Sequence, residues 1–229
     1  VYKTRYFLPS YFTIGKTGSK YITVDINKAI YYFSLAANQN DICAQFELGL
    51  IYSKGEYITV DINIAIHYFS LAADQNHAEA QFALGLIYLE GEYITRDINK
   101  AIYYFSLAAN QNHTKAQFAL GLIYLEGEHI TRDINKSIRY LSLAANQNNA
   151  DTQFMLGLIY FNGQYVTRDI HKAIHYFSLA ANQNETNALF FLGYIYSKGE
   201  YITVDINKAI HYLSLAANQN DADAQYNLG

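Results

Sequence analysis

Between Asp61 and Gln75 the apolar residues Ile62, Ala65, Ile66, Phe69, Ala72 and Ala73 fall three or four apart, with polar residues around most of the rest. That spacing is one stripe of an α-helix, so the segment predicts a helix, called here helix B. Asp61 supplies a carboxylate able to cap its N-terminus or favour its first turn, and Ile58 stands where a hydrophobic staple would pack. Asn76 follows the Ala72-Ala73 pair, and Asn tolerates positive φ better than most residues, so the helix should end there. A second segment, Ala78 to Glu90, places Ala80, Leu84, Ile87 and Tyr88 on one face and is stopped by Gly91. It is called helix A.

Both patterns return at a fixed interval. From Asp25 to Asp61 is 36 positions, and Asp97, Asp133, Asp169 and Asp205 keep that step. Gly49, Gly85, Gly121, Gly157, Gly193 and Gly229 keep it too, as do Asn40, Asn76, Asn112, Asn148, Asn184 and Asn220. Two helices per repeat joined by short turns make an antiparallel hairpin that cannot bury both its faces alone, so neighbouring hairpins must complete the core. The expected fold class is all-α: a solenoid of antiparallel helix hairpins, with an initial helix B, five full A–B hairpins and a final fragment of helix A after Asn220. Residues 21–229 should form one continuous repeat domain of about five and a half repeats. Residues 1–20, with the only proline, Pro9, fit the helix A pattern poorly and are expected to be a degenerate N-terminal cap or decayed repeat.

The unit Leu84-Gly85-x-x-Tyr88 followed by Ala101-x-x-x-Phe105 resembles the tetratricopeptide pattern of large and small residues meeting between packed helices. It resembles more closely the Sel-one-like repeat, a branch of that superfamily. Ala80, Leu84, Gly85, Tyr88, Gly91, Ile94, Asp97, Lys100, Ala101, Tyr104, Phe105, Ala108 and Ala109 fill that repeat's characteristic places. Departures are local: Ile64 for the usual Lys, Ser137 for Ala, and Leu141 and Leu213 for Phe. The resemblance implies a right-handed superhelical α-solenoid and a role as an adaptor or scaffold that binds proteins. A cysteine-rich secreted branch is associated with β-lactam binding, but its hairpins are stapled by disulfides, and Cys43 is the only cysteine here.

Composition narrows the function further. With 51% hydrophobic and 16% charged residues the 229-residue chain is globular, and its apolar runs fall far short of a membrane span. No leading signal stretch is seen, and the chain begins at Val1 and stops at Gly229 inside a repeat, which leaves open that it is a piece of something longer. A net charge of −4 lacks the basic footprint of nucleic-acid binding. The single cysteine favours a reducing, cytoplasmic location. The sequons at Asn112 and Asn184 would permit glycosylation if the chain were secreted.

No nucleophile elbow, phosphate loop or zinc-ligand spacing is present, so neither enzymatic activity nor a cofactor is expected. His171 and His175, four apart on helix B, could share a face as metal ligands. The matching pairs Asn63/His67, Asn99/Tyr103 and Asn135/Arg139 instead make histidine one choice at an exposed position, and no metal is expected. Of the 23 tyrosines, Tyr52, Tyr88, Tyr124, Tyr160 and Tyr196 hold the repeat's core place and are read as packing.

Helical rotation shows what each helix presents elsewhere. With Leu84 at the centre of helix A's core face, Glu79, Phe82, Leu86 and Leu89 point the opposite way, toward what tetratricopeptide-like solenoids use as a concave groove. The candidate partner-binding residues are therefore Glu79, Phe82, Leu86, Leu89, Glu90, Lys115, Phe118, Leu122, Leu125, Glu126, Asp151, Phe154, Leu158 and Phe161. The competing reading is that the Phe and Leu ladders are contacts between neighbouring A helices. On helix B the same rotation turns Leu71, Leu107, Leu143 and Leu179 outward, with Leu35 and Leu215 in register, as a candidate assembly stripe on the convex face unless adjacent B helices cover it.

The leading expectation is a scaffold that binds a protein or peptide on the concave face, with no nucleic acid and no membrane span. The alternative is a structural subunit that self-associates or joins a larger complex through the leucines. A small-molecule binder or an enzyme is the remote alternative.

Overall fold

The computed structural model describes residues 25–200 and 202–229. Among them are twelve helices and no strand. The B helices are α1 (Ile26–Ala37), α3 (Ile62–Asp74), α5 (Ile98–Asn110), α7 (Ile134–Ala145), α9 (Ile170–Ala181) and α11 (Ile206–Asn218). The A helices are α2 (Ile42–Lys54), α4 (Ala78–Glu90), α6 (Thr114–Glu126), α8 (Ala150–Asn162), α10 (Thr186–Lys198) and the fragment α12 (Ala222–Leu228). Helix count, order and period are those the sequence predicts, and the protein is an all-α solenoid of repeats of about 36 residues. The chain divides into two compact units, up to Ala116 and from Gln117 onward. The expected cap at residues 1–20 lies outside the described residues.

Each turn is built from a few fixed bonds. The Asp25, Asp61, Asp97, Asp133, Asp169 and Asp205 carboxylates accept the backbone N–H three residues on, capping every B helix. From Asp61 onward these aspartates also close the A-to-B loop, as where the Asp97 N–H donates to the Tyr88 carbonyl at 2.9 Å. B helices end on Asn40, Asn76, Asn112, Asn148, Asn184 and Asn220, all at φ between 61° and 68°. In the second of these turns the His77 N–H reaches back to the Ala72 carbonyl at 3.1 Å, satisfying a helix-end acceptor. Gly91 ends α4 at φ 64°, a conformation its lack of a Cβ makes easy.

Gly85 has a different task. A Cβ there would lie 2.4 Å from the Phe105 ring, so the bare backbone is what lets α4 and α5 close on that side chain. Where Ser137 replaces the usual alanine, its hydroxyl is buried and donates to the Gly121 carbonyl at 2.8 Å. The A helices are apolar around most of their circumference: in α4 every residue from Ala80 to Leu86 is buried. The B helices bury one stripe, Ala101, Phe105, Ala108 and Ala109 in α5.

Candidate interaction surface

The first unit corrects part of the rotational reading of helix A. Phe82 and Leu86, expected to line a groove, are only 2% and 4% exposed. Their neighbours explain this, because the Phe82 ring centroid lies 5.6 Å from that of Phe105 and 4.7 Å from the imidazole of His113. Phe46 is buried in the same way, 4.6 Å from the His77 ring. A helix packed on several sides has no single core face, so rotation about Leu84 cannot assign an open one. Glu79 and Leu89 are half-buried, and Glu90 and Lys115 are exposed.

His77 and His113 were not singled out by sequence reasoning. Their signal is positional, since they stand where Asp41 precedes α2. His77 Nδ1 accepts the Ala80 N–H and His113 Nδ1 accepts the Ala116 N–H, both at 3.1 Å, so each imidazole serves as an N-cap. His113 Nε2 lies 3.2 Å from Glu79 Oε1. That hydrogen bond leads the causes holding the Glu79 carboxyl below its ordinary value, while burial pushes His77 down. Burial raises the Glu47 carboxyl, with Lys54 opposing.

The second unit keeps the apolar ladder more open. Phe118, Leu122, Leu125, Phe154, Leu158 and Phe161 are half-buried, and Glu126 and Asp151 are exposed. Phe161 meets Phe191 at 5.6 Å and Tyr194 at 6.5 Å, and Phe190 meets Tyr194 at 6.4 Å. Phe191 was missed from sequence because its register varies, holding Glu47, Ala83, Ala119 and Met155 in the other repeats.

On the outward side of the B helices, Leu35, Leu143 and Leu215 are 43%, 38% and 39% exposed, whereas Leu71, Leu107 and Leu179 are half-buried. The repeat tyrosines are half-buried, and Tyr52, Tyr88, Tyr160 and Tyr196 pack against buried core residues. Tyr88 stacks on Tyr104 at 5.8 Å, and Lys100 Nζ lies 4.9 Å over the Tyr88 ring. Tyr160, Tyr176 and Lys172 repeat this arrangement. Loop residues Tyr57, Tyr93 and His129 are exposed, and Arg132 sits 5.2 Å over the Tyr165 ring. His171 and His175 are exposed, and among the described residues no three His, Cys, Asp or Glu side chains converge as metal ligands. No helix among the described residues is long and apolar enough to cross a membrane.

These features define a helical-repeat protein of the tetratricopeptide-like kind. The Sel1 repeat model matches residues 14–41, 44–77, 78–113, 114–149, 150–185 and 186–221. The chain belongs to the Sel1 repeat family, whose members generally act as protein-interaction scaffolds and are typically non-catalytic. Over 89% of its length it is similar to the solved structure of a Sel1 repeat protein from Oxalobacter formigenes, with 31% identity, a TM-score of 0.72 and 59% of that chain covered. Over 87% it is similar to a protective antigen of uropathogenic Escherichia coli with the same repeat fold, with 28% identity, a TM-score of 0.69 and 50% of that chain covered. The chain thus spans between half and three-fifths of those relatives. A putative Sel1 repeat protein from Klebsiella pneumoniae shares the fold at 21% identity and a TM-score of 0.50. A comparison with curated proteins finds no match.

Proposed function

We propose that this chain is a non-catalytic scaffold that binds a protein or peptide segment through the exposed side of its A helices. The supporting observation is that helix A carries two kinds of position. Ala44, Ala80, Ala116, Ala188 and Ala224 share one buried register, interrupted only by the buried Thr152, and Leu48, Leu84, Leu120, Leu156 and Leu192 share another, whereas Glu79, Lys115, Asp151, Asn187 and Asp223 share a register, differ in charge and are exposed or half-buried. Side chains released from the repeat's own packing are where selectivity can be encoded. Family membership supports the protein-binding class, and the acidic balance of the chain favours protein over nucleic acid as partner.

The test is an affinity pull-down with the parent chain and with Glu79→Lys, Glu90→Lys and Glu126→Lys combined. Captured proteins should bind the variant with altered affinity and altered salt dependence while its melting is unchanged. Capture indifferent to these changes moves the site off the A helices.

A second reading rests on Leu35, Leu143 and Leu215. Large apolar side chains in one register, more than a third exposed, are what an assembly contact needs, so a structural subunit joined through the B helices is the alternative.

A further inference from the structure

We infer that the partner-engaging part of the A-helix side lies in the second unit, around Phe161, Phe190 and Tyr194, and that it takes a protein segment whose apolar or aromatic anchors are flanked on one side by Lys or Arg. This rests on the reading above that the A helices bind a protein.

The chain serves as its own control. Repeats that solve the same packing problem need the same residues, so a place where one repeat departs toward larger side chains is not explained by shared packing. Three such departures meet here. Phe161 stands where Leu89 and Leu125 stand and where Ser53 and Ser197 stand in the outer repeats, Phe191 where Glu47, Ala83, Ala119 and Met155 stand, and Tyr194 where Leu50, Leu86, Leu122 and Leu158 stand. All three are half-buried, so the added rings are not simply absorbed into the core. The existing ladder is also less covered than in the first unit. His77 and His113 lay imidazoles against Phe46 and Phe82, but the matching residues for Phe154 and Phe190 are Glu185 and Asp221. Half-exposed aromatic rings with neighbours fixed by packing are the anchors around which interface hot spots form.

Charge fixes the occupant's polarity. The starts of the A helices in this unit carry Asp151, Glu185, Asp221 and Asp223, and residues 146–151, 182–187 and 218–223 contain no Lys, Arg or His. Asp151 lies three residues before Phe154 on α8, so its exposed carboxylate shares that side of the helix. At the opposite end of α10 the Lys198 Nζ lies 5.6 Å over the Tyr194 ring. A bound segment gains by placing cations at the acidic end and loses by placing them at Lys198.

The experiment pans a phage-displayed library of random short peptides against the full chain, then measures selected peptides on the variant Phe161→Leu/Phe191→Ala/Tyr194→Leu. Each change restores the residue that other repeats of this chain carry, and thermal melting checks that the fold is kept. Tyr194→Leu alone serves if the triple variant melts early. The expected result is selection of apolar or aromatic residues beside Lys or Arg, a loss of about ten-fold or more in affinity on the variant, and a flatter salt dependence with Asp151→Asn/Asp223→Asn. Peptides that bind the variant as tightly as the parent, or that are acidic, overturn the inference and leave the scaffold reading standing. Failure to select any peptide overturns both.

Discussion

Gln111 donates from Nε2 to Oε1 of Gln81 at 2.8 Å, and Gln81 donates in turn to the Ala73 carbonyl at 3.1 Å, so two side-chain amides tie the ends of α5 and α3 through α4. Gln75 and Gln45 make the same relay to Ala37, and Gln183 and Gln153 make it to Ala145. Gln81 is 1% exposed, so its amide has no water to fall back on. Gln81→Ala removes one of the two hydrogen bonds on the Ala73 carbonyl, which keeps the Asn76 N–H at 2.9 Å, takes away the acceptor of Gln111 Nε2 and opens a void. The expected cost is about 2 kcal/mol, read from urea unfolding. Gln81→Leu should cost less, because Leu189 fills the matching place and is buried there.

Gly85→Ala separates packing from propensity. In an open helix the change adds up to ~1 kcal/mol of stability. Here the new Cβ meets the Phe105 ring at 2.4 Å, so the expected effect is reversed, a loss of roughly 1–3 kcal/mol. Thermal melting of the single variant decides the sign, and a stabilised protein would show that the ring can step aside.

The repeat made the fold readable. Asp at one end of helix B, Asn with positive φ at the other and Gly91 after helix A are local signals whose physics is complete within a few residues, and each forms the turn it implies. The A-helix surface was less readable, because its openness depends on what neighbouring repeats lay over it. Phe82 and Phe154 are the same residue in the same register, yet one is buried and the other half-buried. The sequence does separate them, through His113 against Glu185, but only once the ring of His113 is known to rest on Phe82. The glutamine relay was equally periodic in sequence. It went unread because Gln is ordinarily a surface residue and nothing local marks it as buried.

Acid should loosen the first unit before it loosens the second. Burial holds His77 below its ordinary pKa of 6.5, with Glu79 opposing, and its Nδ1 must stay unprotonated to cap α4. A group whose folded pKa is depressed takes up protons on unfolding, so its contribution is complete above about pH 6.5 and is lost as pH falls below that. Glu79, held below its ordinary 4.5 by the hydrogen bond from His113, adds a further loss as pH falls below that value. The urea midpoint should therefore drop between about pH 7.5 and about pH 5.5. His77→Asn should flatten that drop, because Asn149 caps α8 from the same register through the Thr152 N–H at 2.8 Å.

The leucines of the B helices give the sharpest choice between the two functional readings. Leu143 is 38% exposed and Leu71 and Leu107 are half-buried, so a lysine at each can keep its methylenes on the helix and carry its ammonium into water. Substituting the three together should leave a folded monomer, with a cost of about 0.5 kcal/mol at Leu143 and somewhat more at the other two. If the protein is an assembly subunit, that variant should sediment as a monomer at concentrations where the parent associates, since three charges cannot be buried in an apolar contact without partners. If the A helices are the docking side, both forms should sediment alike and the variant should retain every partner the parent captures. Analytical ultracentrifugation beside the pull-down reads both outcomes from one protein preparation. Unfolding of the triple variant would give a third answer: the half-buried leucines would then belong to the packing between neighbouring B helices, and Leu35, Leu143 and Leu215 would be the exposed margin of that packing rather than a contact surface.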